Sequence, residues 1–147
     1  MPYYPSSVAT WRAVESLLPV DRPIRLVDIG SGLGGLVLCL AAKRSDSKIV
    51  GVELAPLPWL ISWLRGRWNR SSGQFIRADY ADLNFQQFDV VFAYLSPAVM
   101  TAVWNKAQAE MRPGSLLLSN EFMIDQHAAD LVVQTEHMRT PLYAWYI

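Results

Sequence analysis

Residues 26–35, Leu-Val-Asp-Ile-Gly-Ser-Gly-Leu-Gly-Gly, restrict the fold of this chain more than any other stretch. An apolar run ends in an acid, a glycine-rich turn follows, and a helical pattern of Leu33, Leu36, Val37, Leu40 and Ala41 begins. Strand, turn and helix are predicted in that order. Gly30 and Gly32 permit positive φ and let a ligand approach bare backbone, while unpaired amides at the helix start face the same space. The expected occupant is a nucleotide-like ligand with an anionic group.

The remaining pattern extends this unit in both directions. Ser6 or Ser7 is placed to cap an opening helix whose apolar residues are Trp11, Val14, Leu17 and Leu18. After the helix that follows the glycine turn, the polar link 45–47 leads to a strand over residues 48–52 that ends at Glu53. A parallel pair with a right-handed crossover is expected. A helix is predicted from Leu57 to about residue 69, with Leu60, Ile61, Leu64 and Trp68 as its apolar stripe. Residues 74–77 read as a third strand closing at Asp79 and Tyr80, and 88–94 as a fourth, buried on both faces. Ser96 and Pro97 open a helix with Met100, Val103, Trp104, Ala107 and Met111 on its core face, and 115–120 form a fifth strand. Residues 130–138 and 142–147 are both strand-like with no helix between them, which predicts an antiparallel hairpin at one sheet edge. The expected fold is a single Rossmann-like α/β domain over residues 1–147: a mostly parallel central sheet closed by a C-terminal antiparallel hairpin, with helices on both faces.

Thirteen Lys and Arg balance thirteen Asp and Glu, so no overall field favours nucleic acid or an anionic surface. Trp59, Trp63 and Trp68, interleaved with Arg65, Arg67 and Arg70, therefore read as an amphipathic helix with a solvated edge rather than an RNA-binding face. Cys39, the only cysteine, lies in an apolar helical pattern and reads as a small buried residue. Apolar runs stop well short of about 18 residues, and the first residues carry no basic-then-apolar leader. A cytoplasmic protein without membrane insertion and without a metal centre is expected. His127 and His137 read as surface or edge residues.

Gly30, Gly32 and Gly35 satisfy G-x-G-x-x-G, the spacing of a dinucleotide site, and a NAD-binding oxidoreductase is one alternative. Asp28 argues against it, because a pyrophosphate would meet a negative charge there, and no second mononucleotide half follows. An acid at that point suits a cationic ligand group. S-adenosylmethionine carries an ammonium, a sulfonium, a carboxylate, a ribose diol and an adenine. Asp28 is assigned to its ammonium side and the amides near Ser31 and Gly32 to its carboxylate. Glu53, with Leu54 beside it, is assigned to the ribose hydroxyls, and Asp79, with Tyr80 beside it, to the adenine amino group. The plainer reading of the acids at strand ends is that they cap the next helix.

With Asp28, Gly30 and Gly32 matching D-x-G-x-G, the chain resembles a class I S-adenosylmethionine-dependent methyltransferase. Three further stretches are similar to the family of ATP synthase c subunit lysine N-methyltransferases and their small prokaryotic relatives: Pro2-Tyr3-Tyr4-Pro5-Ser6-Ser7, Val52-Glu53-Leu54 followed by Pro58-Trp59-Leu60, and Tyr143-Ala144-Trp145. This resemblance implies S-adenosylmethionine as cofactor, a lysine of a protein substrate as acceptor, and Tyr4 and Ser6 folded over the cofactor. Tyr94, followed by Leu95, Ser96 and Pro97, stands where many amino-directed methyltransferases of this fold carry a polar residue and prolines, and is the candidate to orient the acceptor. A non-catalytic cofactor-binding or partner protein is the competing reading, and a homo-oligomer is left open.

Overall fold

The alternation of apolar side chains along the strands decides the architecture, because it sends successive residues to opposite layers. In a computed structural model, which describes residues 8–147, the elements run α1 (Val8–Leu17), β1 (Arg25–Ile29), α2 (Gly35–Lys43), β2 (Lys48–Glu53), α3 (Pro56–Trp68), β3 (Gln74–Arg77), β4 (Val90–Ala93), α4 (Pro97–Glu110), β5 (Leu116–Asn120), β6 (Leu131–Val133) and β7 (Leu142–Tyr146). Two single 3-10 turns, Tyr80–Asp82 and Phe85–Gln87, replace a helix between β3 and β4. On one face Leu26, Ile49, Phe92 and Leu118 pack with α1 and α2; on the other Val27, Ile29, Val52, Val91 and Leu117 pack with Met100, Val103 and Ala107 of α4. By this alternation Asp28 and Glu53 fall on the α2 face.

The seven strands lie in the order β3-β2-β1-β4-β5-β7-β6. The first five are parallel, while β7 runs antiparallel between β5 and β6. Strand order reverses at β1 and β4, so their carboxyl ends diverge into the crevice where ligands of doubly wound sheets bind. The expected Rossmann-like fold with its closing antiparallel pair is therefore present. The sixth strand is shorter than the expected 130–138, because Gln134 turns back to bond the Met138 carbonyl at 2.7 Å. Cys39 is half-buried rather than enclosed.

The main departure is α3. Its apolar stripe, Leu60, Ile61, Leu64 and Trp68, faces solvent, and its buried residues are Ser62 and Gly66. The reason lies on β3. The ring of Phe75 is the knob, and the helix supplies the hole: a Cβ added at Gly66 would stand 3.0 Å from that ring. Gly34 and Gly51 hem it in from other sides, where an added Cβ would stand 2.6 and 3.1 Å from the same ring. Trp59 closes the contact by donating its indole N–H to the Phe75 carbonyl at 3.2 Å.

Gly34 also holds φ +84 at the start of α2. Gly34→Ala is thus expected to combine left-handed strain with overpacking, a loss of about 2–5 kcal/mol. Urea titration should show a lower midpoint with an unchanged slope.

Candidate functional site

The turn after β1 is tied to the end of β2. The amides of Gly30 and Ser31 both donate to the Val52 carbonyl, at 2.8 and 2.9 Å. The Gly32 amide donates to Glu53 Oε1 at 3.0 Å, and the Ala55 amide to Glu53 Oε2 at 3.1 Å. The Ser31 and Gly32 amides, assigned from the sequence to a ligand carboxylate, thus donate within the protein here. They are engaged because Val52 and Glu53, at the end of β2, lie directly beside them. The Ser31 hydroxyl is likewise turned inward: it is enclosed, has no hydrogen-bond partner among the described residues, and a Cβ added at Gly51 would lie 2.9 Å from it. Glu53 is fixed by two amides and keeps a second acceptor site on each oxygen.

Asp28 is only 4% exposed. Among the described residues it has no ion-pair partner, and the charge acting on it is a second acid, Glu53. Burial above all, and then Glu53, pushes its carboxyl well above the ordinary 3.8. A buried acid beside another acid is costly unless a cation joins them. Next to it the backbone is bare by necessity. Gly30 has φ +78, and a Cβ there would stand 2.9 Å from the Leu95 side chain, which follows β4.

Asp79 is exposed at the end of β3 and caps the first 3-10 turn, Oδ1 accepting from the Ala81 amide at 3.0 Å. The helix-cap reading of this acid thus holds for one oxygen. Tyr80 is half-buried, and burial, followed by Asp79, raises its hydroxyl so that it stays a neutral donor. Leu54 is exposed on the rim. Tyr4 and Ser6 lie outside the described residues.

On the β4 and β5 side, the Tyr94 hydroxyl donates to Glu121 Oε2 at 2.6 Å, and the Tyr94 and Phe122 rings lie tilted at 6.2 Å. Glu121 holds φ +74, a left-handed conformation that costs a non-glycine residue about 1–3 kcal/mol, while its amide is secured to the Pro141 carbonyl at 2.8 Å. Sequence reasoning passed over Glu121. The signal was available: it follows β5 as Glu53 ends β2 and Asp79 follows β3. Ser96 holds the N-cap position of α4 without a side-chain cap bond.

The two halves differ chemically. Asp28 and Glu53 form an acidic, amide-braced end suited to a cation with hydroxyls, whereas Tyr94 and Glu121 form a hydroxyl–carboxylate pair across β4 and β5. Among the described residues no group of three or more His, Cys, Asp and Glu is placed to hold a metal. No helix among them is long and apolar enough to cross a membrane.

The family model described as the ANTKMT methyltransferase domain matches residues 28–130, from Asp28 through Glu121 and beyond. The mouse lysine N-methyltransferase of the ATP synthase c subunit is 31% identical over 136 residues, covering 88% of this chain and 52% of that protein. A protein-lysine N-methyltransferase of Saccharolobus islandicus strain REY15A is 22% identical over 151 aligned positions, covering 100% of this chain and 94% of that one. The chain spans about half the length of the mammalian relatives it matches. An RNA methyltransferase from Salinibacter ruber, crystallised with S-adenosyl-L-homocysteine, superposes with a TM-score of 0.89 at 24% identity over 98% of this chain and 94% of that one, a likeness of fold. With the family model covering well over half its residues, this chain belongs to the ANTKMT methyltransferase domain family.

Proposed function

We propose that this chain transfers a methyl group from S-adenosylmethionine to a lysine amine of a protein substrate. The observation that carries the reading is Asp28, a buried carboxylate whose charged neighbour is another acid. Such a group asks for a cation. The residues fit the cofactor: Asp28 for its cationic amino-acid end, the remaining acceptor sites of Glu53 for the ribose diol, and the second oxygen of Asp79 with Tyr80 for the adenine.

S-adenosylmethionine supplies an electrophilic methyl on a sulfonium. The residues contribute chiefly by alignment, since charge is dispersed rather than created in such a displacement. Tyr94 and Glu121 face the acceptor side. The Glu121 carboxylate draws in the lysine ammonium, and the Tyr94 hydroxyl holds that carboxylate in place. At pH 7 the neutral amine costs about 4.6 kcal/mol to present, given a reference pKa near 10.4. The apolar surfaces of Leu95 and Phe122 disfavour the ammonium and so offset the Glu121 charge, which favours it, and the proton leaves to solvent before the neutral nitrogen takes the methyl. Lysine as the acceptor is supported by the relatives, among them the mouse lysine N-methyltransferase and the Saccharolobus protein-lysine N-methyltransferase.

The test is transfer of labelled methyl from S-adenosylmethionine into lysate protein, with amino-acid analysis for methyl-lysine and purified RNA as a parallel substrate. Methyl-lysine in protein is the expected product. Cofactor binding without label in any acceptor would leave a non-catalytic binding protein, and label confined to RNA would overturn the choice of lysine.

A further inference from the structure

The face that α3 turns to solvent carries Leu57, Leu60, Ile61, Leu64 and Trp68, with Trp63 at its margin. Leu57 is 65% and Trp68 89% exposed. Positions 57, 61, 64 and 68 repeat at helical spacing, so these side chains form one continuous apolar stripe. A stripe of this kind on the outside of a domain marks an interaction surface.

The surrounding charge indicates what it meets. Residues 54–78 contain four arginines, at 65, 67, 70 and 77, and no aspartate, glutamate or lysine. The other nine Lys and Arg are set against all thirteen acids, so a chain of zero formal charge is divided into a positive flank and a negative remainder. Within the described residues none of these arginines is in an ion pair. Their contacts are neutral: Arg65 donates to the Leu33 carbonyl at 2.7 Å, Arg67 lies 5.0 Å over the Trp63 ring, and Arg77 donates to the Leu54 carbonyl at 3.3 Å.

We propose that the outer face of α3 binds the surface of an anionic lipid bilayer, lying in the headgroup plane with its leucine stripe toward the acyl chains and its arginines on the phosphates. At thirteen residues the helix is too short to span a bilayer but suits the interfacial mode, in which apolar burial and basic side chains act together. Tryptophan beside arginine is the composition that the lipid–water boundary favours. A second copy of the chain fits less well, because a twofold contact through this face sets arginine against arginine. RNA fits less well too, since the stripe is mainly aliphatic and offers bases little ring surface to stack on.

The experiment is co-sedimentation of the full chain with phosphatidylcholine vesicles, with and without phosphatidylglycerol, at low and high salt. Binding is expected only with phosphatidylglycerol, reversed by salt, with a blue shift of tryptophan emission. Arg67→Gln is expected to weaken partitioning about fivefold. Leu64→Gln with Trp68→Gln is expected to abolish it while leaving thermal melting unchanged, because both side chains are exposed. A folded protein that ignores phosphatidylglycerol vesicles at low salt overturns the proposal. So does a dimer in sedimentation velocity that dissociates in the double variant, or loss of RNA binding in that variant with vesicle binding intact. No cofactor enters the assay, so its outcome is independent of methyl transfer.

Discussion

Replacing Asp28 by asparagine is expected to weaken S-adenosylmethionine binding roughly 10- to 150-fold, the loss of one charge-assisted hydrogen bond of 1.5–3 kcal/mol, while making the unliganded protein more stable at neutral pH. The second half follows from the sign of the shift. The folded carboxyl titrates well above its ordinary 3.8, because burial and the Glu53 charge oppose ionisation. Its favourable contribution is fully present below 3.8 and is lost as pH climbs from there through the folded pKa. Asparagine cannot ionise, so the variant should show a flatter stability profile over that window and a higher melting temperature at pH 7. Cofactor binding acts on the same proton. A cation favours the carboxylate, so affinity in the wild type should rise with pH until the unliganded Asp28 is ionised, with proton release below that point. Isothermal titration in buffers of different ionisation enthalpy reads both quantities. A variant that binds normally would remove Asp28 from the cofactor site.

Glu121→Gln should act on the other substrate. Losing the carboxylate that meets the lysine ammonium is expected to raise the acceptor KM by about 10- to 150-fold with the cofactor Kd unchanged. Tyr94→Phe removes only a neutral donor to that carboxylate and should raise the same KM by about 2- to 12-fold. The two effects should fall short of additive, because the tyrosine acts through the glutamate. Steady-state kinetics with varied acceptor, beside the double variant, distinguishes this from a packing role for Tyr94, which would alter stability and leave KM alone.

Much of the fold and part of the site could be read from residue types. The glycine turn of 26–35, the strand succession and the closing antiparallel pair each have a local signature, and Asp28 stood out as an acid in an apolar strand. What escaped was decided by partners distant in sequence. The outer stripe of α3 has the periodicity of a core face, and only the Phe75 ring on β3 shows that Ser62 and Gly66 are the buried side. The Ser31 and Gly32 amides read as free because nothing local indicates that Val52 and Glu53 will take them. Left-handed backbone at Glu121 is likewise invisible in a residue type that rarely adopts it.

The placing of β7 has a consequence for the order in which the sheet assembles. β6 comes earlier in the chain, yet its strand pairing is with β7 alone, and β7 reaches the parallel body through β5. The first five strands can assemble through their own crossovers, whereas β6 has no neighbour until β7 has docked. Trp145, carried by β7, is 2% exposed in the core shared with α4, so the same event seals that layer. This far edge should behave as one late cooperative unit in hydrogen exchange. β6 has no stable place in the sheet once β7 has left.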